Sequence, residues 1–389
     1  MKGFEFWLPT RIVFGVGEVS RIGELAVSLG KRALIVSDKH LKELGLVERV
    51  EGRLREKGVE AIEFSEVTPN PLSTMINDTA SAMAGEGIDF VVGIGGGSSI
   101  DFAKGLAIRL THEDDIWNYI DVGGKSVSRA TSRTLPIVVV VTTAGTGSEV
   151  TPFAVMTNPE VSEKCGIVNE NIFPRVSIVD PELTLSVPPR LTASTGIDAL
   201  SHAIESFINR QTHGYSEMAS LQAIRLVSQN LPTAVADGRN LEARSRMAWA
   251  ATLAGIAISH ANTTLVHAMG HPISGRFDVG HGEAMSMGLP AMMRHSWMLD
   301  MEKFARIGEA MGVDVGRPSV KEAAKKSVEA VEELLDEVDL RARMSDYGIR
   351  ESDIDDLARD ATGYMVGCLE SHPYRFSLEE VKEIYREIL

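Results

Sequence analysis

The chain has 389 residues, 44% hydrophobic and 24% charged, with a formal charge of −15. That much apolar mass supports more than one core, and so acidic a surface repels phosphate backbones and anionic membranes, which excludes nucleic acid as a partner. Two isolated cysteines, Cys165 and Cys368, exclude a disulfide framework and a cysteine-zinc site. The N-terminus has no apolar leader, and no run is long enough to cross a bilayer, so no membrane association and a cytoplasmic location are expected.

The first ~180 residues alternate in texture. Short β-branched runs recur at 32–38, 60–64, 89–95, 135–141 and 175–180. Amphipathic stretches at 41–58 and 72–87 separate the early ones. Continuous apolar strands alternating with helices predict a parallel sheet covered on both faces. Residues 1–15 and 153–170 are expected to add antiparallel strands. Pro188-Pro189 marks a break. Beyond it the strand signal ends, and Ala199, Leu200, Ala203, Ile204, Phe207 and Ile208 repeat at helical spacing. Ser319 with Glu322 and Ser377 with Glu380 fit capping boxes, with Phe376 and Val381 as a staple beside the second. The methionines clustered at 285–293 read as core filler. The expected architecture is an α/β dinucleotide-binding domain over 1–185, with a mostly parallel, Rossmann-like sheet, followed by an all-α domain over 186–389. A cleft between the two is the expected ligand site.

The segment DFVVGIGGGSSIDFAKG reads strand, glycine turn, helix. Gly95, Gly96 and Gly97 allow close approach to an anion, Ser98 and Ser99 are candidate caps, and the helix dipole favours phosphate there. The strict G-x-G-x-x-G pattern is not met, because Ser98 holds its third glycine position, and a plain tight turn is the competing reading. Asp38 ends the first long apolar strand, where a carboxylate can accept from an adenosine ribose and repel a 2′-phosphate. The same residue could simply cap a helix over 39–46, and both can hold together. The run 138–151 empties a buried strand into Thr142, Thr143, Gly145, Thr146, Gly147 and Ser148, at the edge where open α/β sheets bind ligands.

Asp198 and His202 are four apart, so they share a helix face. His267 and His271 repeat that spacing on a helix read through LAGIAISHANTTLVHAMGH and ended by Pro272. His281 follows between glycines. A lone histidine in an apolar helix is most often a satisfied core residue. Two such pairs in apolar helices are harder to bury separately, and a shared divalent cation would satisfy them together. His213, His260 and His295 lack this context and read as structural or surface residues.

These segments together resemble the iron-containing (group III) alcohol dehydrogenases along nearly the full chain. The likeness rests on GGGSSIDFAK (95–104), TTAGTGSEVT (142–151), TGIDALSHAIE (195–205), HAMGHPISG (267–275) and HGEAMSMGLP (281–290). The resemblance implies Asp198, His202, His267 and His281 as metal ligands, Fe2+ first and Zn2+ as the alternative. It implies His271 as an additional active-site histidine and proton relay. It implies a cofactor site at Asp38, Asn70, Gly96, Gly97, Ser98, Ser99, Asp101, Thr142, Thr143, Thr146 and Lys164, with Leu183 to Val187 on the adenine side. NAD is the expected cofactor and NADP the alternative. A homodimer or higher homo-oligomer also follows from the likeness alone. Phe153 replaces a residue that is often polar near the nicotinamide, and SHPYRF (371–376) departs from the usual turn, so both bear on substrate choice.

The reaction implied is hydride transfer between NAD(H) and a small primary alcohol, aldehyde or diol, with a glycerol-type polyol enzyme as the nearest alternative. A dehydroquinate synthase-like lyase would need several basic residues around its substrate, and 258–290 offers only Arg276. A non-enzymatic nucleotide-binding protein would have no use for four intact ligand candidates.

Overall fold

The computed structural model describes residues 3–122, 125–314 and 319–389. They fall into two compact units. One comprises Trp7–Thr143 and Ser148–Leu185; the other comprises Ser186–Leu389, the short segment Ala144–Gly147 and the N-terminal residues up to Phe6.

In the first unit, β1 (Arg11–Phe14), β2 (Arg32–Val36), β3 (Glu60–Phe64), β4 (Phe90–Gly95), β5 (Ile137–Val141) and β8 (Val176–Val179) form one sheet in the order β1-β8-β5-β4-β2-β3. Every pairing is parallel. β6 (Phe153–Asn158) and β7 (Glu163–Val168) make a separate antiparallel hairpin, as expected for 153–170. The first strand does not follow the antiparallel expectation. No turn returns β1 onto a neighbour; it waits for β8, far along the chain, and pairs parallel to it. β4 and β5 are buried at every residue, with Val91, Val92, Ile94, Val138, Val139 and Val140 at 0% exposure. Each such side chain contributes about 2 kcal/mol of burial.

The helices of this unit are α1 (Ile22–Ala26), α2 (Lys39–Glu43), α3 (Leu46–Arg55), α4 (Ser73–Ala82) and α5 (Gly97–Arg109). The stretch expected as one helix over 41–58 is two, because the chain turns at Leu44 and Gly45. Strand order reverses between β2 and β4. β3 lies to one side of β2, and the chain then crosses to place β4 on the other. The carboxyl ends of β2 and β4 therefore flank a topological switch point, the usual ligand crevice of an open parallel sheet.

The second unit is helical: α6 (Pro189–Ile208), α7 (Gly214–Ala236), α8 (Leu241–Ala261), α9 (Leu265–Phe277), α10 (His281–Ser296), α11 (Met301–Ala310), α12 (Val320–Glu337), α13 (Ile354–Thr362), α14 (Val366–Ser371) and α15 (Leu378–Glu387). The double proline opens α6, with Pro188 as N-cap and Pro189 in the first turn, where a missing N–H is harmless. The helix expected through 253–271 is broken. α8 ends at Ala261, Asn262 takes φ 62°, and α9 restarts at Leu265. Asn209, at the end of α6, donates to the carbonyls of Asn262 and Thr263 and holds this turn. Pro272 does not end α9, which continues to Phe277. Residues Leu265 to Ser274 are all buried, so packing outweighs the one hydrogen bond that proline removes. Both capping boxes form, at Ser319 and at Ser377. Met285, Met287, Met292 and Met293 are buried.

His372 follows α14 with 0% exposure. Its Nδ1 accepts from the Tyr374 N–H, and its Nε2 meets Ser296 Oγ at 3.0 Å. Burial pulls its pKa from the ordinary 6.5 down to about 4; the Tyr374 carbonyl, 3.1 Å from Nδ1, and the Glu205 carboxylate favour the charged ring but are the smaller effects. The unfolded chain therefore binds the proton more readily than the folded one. Stability from the neutral ring is present above pH 6.5 and is lost as pH falls toward 4. Between pH 7 and pH 4 this amounts to on the order of 3 kcal/mol. Urea unfolding of wild type and His372→Gln across that range should show a shallower acid decline in the variant; parallel declines would remove His372 as the cause.

Candidate metal centre and nucleotide-binding edge

Four side chains of the helical unit converge. Asp198 and His202 lie one turn apart on α6, His267 is in the first turn of α9, and His281 is the first residue of α10. One ligand atom from each lies within 4.8 Å of all the others. Asp198 Oδ1 is 3.6 Å from His202 Nε2, 3.8 Å from His267 Nε2 and 3.5 Å from His281 Nε2. Oδ1 is buried and accepts no hydrogen bond from the described residues. Donors at about 2.1 Å from a tetrahedral ion stand about 3.4 Å apart, so the spacing suits a divalent cation with nitrogen and oxygen ligands. Burial lowers the His202 pKa more than the nearby Asp198 restores it, keeping the ring neutral as a ligand must be.

Local packing delivers these groups. A Cβ on Gly282 would lie 2.1 Å from the Ser194 carbonyl oxygen. Only glycine lets the first turn of α10 rest on α6, and that contact sets His281 beside Asp198. His271 is buried on α9, its ring 5.2 Å from that of His281 and 6.0 Å from that of His267. It therefore lies next to the centre but outside the four converging donors.

Glu205 was not singled out from sequence. It is fully buried on α6. Its Oε2 pairs with His267 Nδ1, and its Oε1 accepts from Thr264 N at 2.8 Å, Thr264 Oγ1 at 2.9 Å and Val266 N at 3.0 Å. Burial alone would raise its pKa, but the His267 ring and the Thr264 donors outweigh that and hold it below the ordinary carboxylate value. A signal existed in sequence, since Asp198, His202 and Glu205 recur at i, i+4, i+7.

The expected cofactor residues of the sheet unit gather at the carboxyl ends of its strands. Asp38 follows β2 and caps α2, accepting from Leu41 N at 3.0 Å through Oδ1. Gly96 and Gly97 follow β4, and Gly96 itself is the N-cap of α5. Ser98 and Ser99 lie within the first turn and do not cap the helix, contrary to expectation. A Cβ on Gly95 would fall 2.5 Å from Ser99 Oγ, and its φ of +150° is one that side chains rarely adopt. The tight turn thus leaves a 13-residue helix pointing its amino end out of the switch point with no side-chain cap. Thr142 and Thr143 follow β5, and Thr142 N donates to the Gly95 carbonyl at 3.0 Å. Thr146 belongs to the segment grouped with the helical unit.

Other expected residues have structural partners. Lys164 Nζ donates to Asn70 Oδ1 at 2.8 Å, joining β7 to the loop before α4. Asp101 accepts from Ser148 Oγ at 2.6 Å and from Val155 N at 2.9 Å. Leu183 packs against the sheet core, and the Val187 carbonyl accepts from Arg244 at 2.9 Å. Phe153 opens β6, and its carbonyl accepts from Lys104 Nζ at 2.6 Å.

Residues 9–181 match the family described as iron-containing alcohol dehydrogenase, and residues 192–389 match the C-terminal region of the Fe-containing alcohol dehydrogenase family. The two matches account for both the parallel-sheet unit and the helical one. The chain belongs to the iron-containing alcohol dehydrogenase family and is an oxidoreductase of alcohols. It is 39% identical to 1,3-propanediol dehydrogenase of Klebsiella pneumoniae over 387 residues, covering 99% of this chain and 98% of the relative. It is 34% identical to the NAD-dependent methanol dehydrogenase of Bacillus methanolicus, covering 99% of each. Among solved structures, a halo-thermophilic archaeal alcohol dehydrogenase from a Red Sea brine pool superposes with a TM-score of 0.95 at 38% identity, covering 100% of both chains. No helix among the described residues is long and apolar enough to cross a membrane.

Lys104, also unnoticed in sequence, is 0% exposed on α5. Its ammonium donates to the carbonyls of Ser148, Thr151 and Phe153 at 2.7, 2.9 and 2.6 Å and to Ser148 Oγ at 2.9 Å. Burial lowers its pKa from 10.5 to about 8, partly offset by Asp101 and Glu149. Lys104→Met would leave these acceptors dry and unpaired, and urea unfolding should register a loss of about 3 kcal/mol or more. Unchanged stability would show that the ammonium does not hold this loop.

Proposed function

We propose that the chain oxidises a short primary alcohol or diol with NAD, or runs the reverse reduction, using a divalent ion held by Asp198, His202, His267 and His281. The observation that carries this is the buried Asp198 Oδ1, which accepts no hydrogen bond among the described residues and faces three imidazole nitrogens at 3.5–3.8 Å. The ion, Fe2+ first and Zn2+ as the alternative, supplies Lewis-acid polarisation of the alcohol oxygen, and the nicotinamide supplies the hydride acceptor.

The protein's own share is positioning and proton movement. The four ligands fix one point in the helical unit. His271, beside His281 and His267, has the reach to take the hydroxyl proton onto a ring nitrogen and pass it outward. In the sheet unit, the amino end of α5 and the small residues after β4 and β5 suit a pyrophosphate. Asp38 supports NAD over NADP: one carboxylate oxygen caps α2, and its charge opposes a 2′-phosphate. Asn70, Asp101, Lys164, Leu183 and Val187 are carried by the resemblance, and their hydrogen bonds make shaping the site a sufficient role for Asp101 and Lys164. The propanediol and methanol enzymes among the relatives point to a small, unbranched substrate.

The test is alcohol-dependent NADH formation by protein stripped of metal and reloaded with iron or zinc, across butanol, 1,3-propanediol, 1,2-propanediol and glycerol. Recovery with a divalent ion is expected, with preference for the unbranched primary alcohols. No recovery with any ion overturns the proposal, and preference for glycerol moves the chain to the polyol enzymes. His271→Ala should retain the metal and lose about a hundredfold in kcat; full activity would remove His271 from the proton path. Asp38→Gly should improve NADP use relative to NAD by about tenfold, seen as a change in the ratio of kcat/KM values.

A further inference from the structure

The buried carboxylate of Glu205 touches the centre through His267, and its two oxygens do different work. Oε1 gathers the opening of α9: the N–H groups of Thr264, Val266 and His267 at 2.8, 3.0 and 3.4 Å, and the Thr264 hydroxyl at 2.9 Å. Thr264 is the N-cap of α9 and supplies no side-chain cap of its own. A carboxylate from another helix takes that place, where the helix dipole favours negative charge. Oε2 meets His267 Nδ1.

An ionised carboxylate can only accept, so Nδ1 must carry the proton, and in the neutral ring the lone pair then lies on Nε2. Nε2 is the atom 3.8 Å from Asp198 Oδ1. We infer that Glu205 is a positioning residue that holds His267 as its Nδ1–H tautomer and aims Nε2 at the metal, while the same carboxylate fixes the helix start that carries the ring. This rests on the reading of the four converging side chains as a metal site.

Glu205→Gln separates the two jobs. The amide oxygen can still accept from the α9 N–H groups. The amide nitrogen then faces Nδ1 and can only donate, which transfers the ring proton to Nε2 and blocks that atom as a ligand.

The experiment uses full-length, metal-stripped protein labelled with 15N-histidine, with zinc as the probe ion. In wild type the His267 ring should show Nδ1–H, and in Glu205→Gln it should show Nε2–H. The zinc dissociation constant, from chelator competition, should rise about 10–100-fold in the variant. An Nε2–H ring in wild type overturns the inference without any variant, so a misfolded Glu205→Gln leaves it testable. Wild-type zinc affinity in Glu205→Gln also overturns it. His267→Ala tells the two failures apart. If it holds zinc as tightly as wild type, the metal-centre reading itself falls. If it loses zinc while Glu205→Gln keeps it, only the assignment of Glu205 falls.

Discussion

Asp198 Oδ1 sits inside a helical bundle and finds no hydrogen-bond donor among the described residues. Burying a carboxylate uncompensated costs several kcal/mol, and three imidazole nitrogens stand 3.5–3.8 Å from it. His202 is kept neutral by its own burial, so the rings cannot all supply the missing positive charge as imidazolium. A divalent ion resolves both difficulties at once, balancing the carboxylate and using the imidazole lone pairs. Other features of the bundle help bring these groups together. Glycine at 282 permits the contact of α10 with α6, and the α8–α9 turn is pinned by Asn209.

The sheet unit obeys a different constraint. A parallel sheet buried on both faces has no polar groups to spare in its interior, so its chemistry is confined to strand ends. β2, β4 and β5 release Asp38, the Gly95–Ser99 turn and Thr142–Thr143 at the same edge. Strand order reverses between β2 and β4, and such a switch point is where open parallel sheets bind ligands. The tight turn at Gly95 then points an uncapped helix end at that opening. The glycine pattern falls short of the strict dinucleotide fingerprint, yet the geometry that the fingerprint encodes is present.

Local information made much of this legible. Strand runs of β-branched residues and the i, i+4 pairs at 198/202 and 267/271 are short-range signals, and the structure places them where the periodicity implied. The failures occurred where a distant contact decided. Pro272 should end a helix on its own terms, but ten consecutive buried residues from Leu265 to Ser274 hold it helical. Ser98 and Ser99 are good capping residues in a position where the turn makes Gly96 the cap. The direction of β1 depends on a strand some 160 residues later. Glu205 had helical spacing from Asp198 and His202 in its favour, but its partners lie on α9, and no local pattern names them.

Buried charges organise irregular backbone segments in both units. Lys104 on α5 gathers the carbonyls of 148–153, Glu205 on α6 gathers the N–H groups of 264–267, and Arg244 on α8 bonds the Val187 and Gly238 carbonyls and Thr192 Oγ1. In each case a rigid helix presents one charge, and the backbone of an irregular segment solvates it. A neutral side chain would make fewer and weaker bonds, and a surface ion pair would be screened. The arrangement is also directional. A cation collects carbonyls and so organises the end of a segment, whereas an anion collects N–H groups and so organises the start of a helix. That is why the residue behind His267 must be acidic: the ring is delivered by the first turn of a helix, where backbone donors, not acceptors, need a partner.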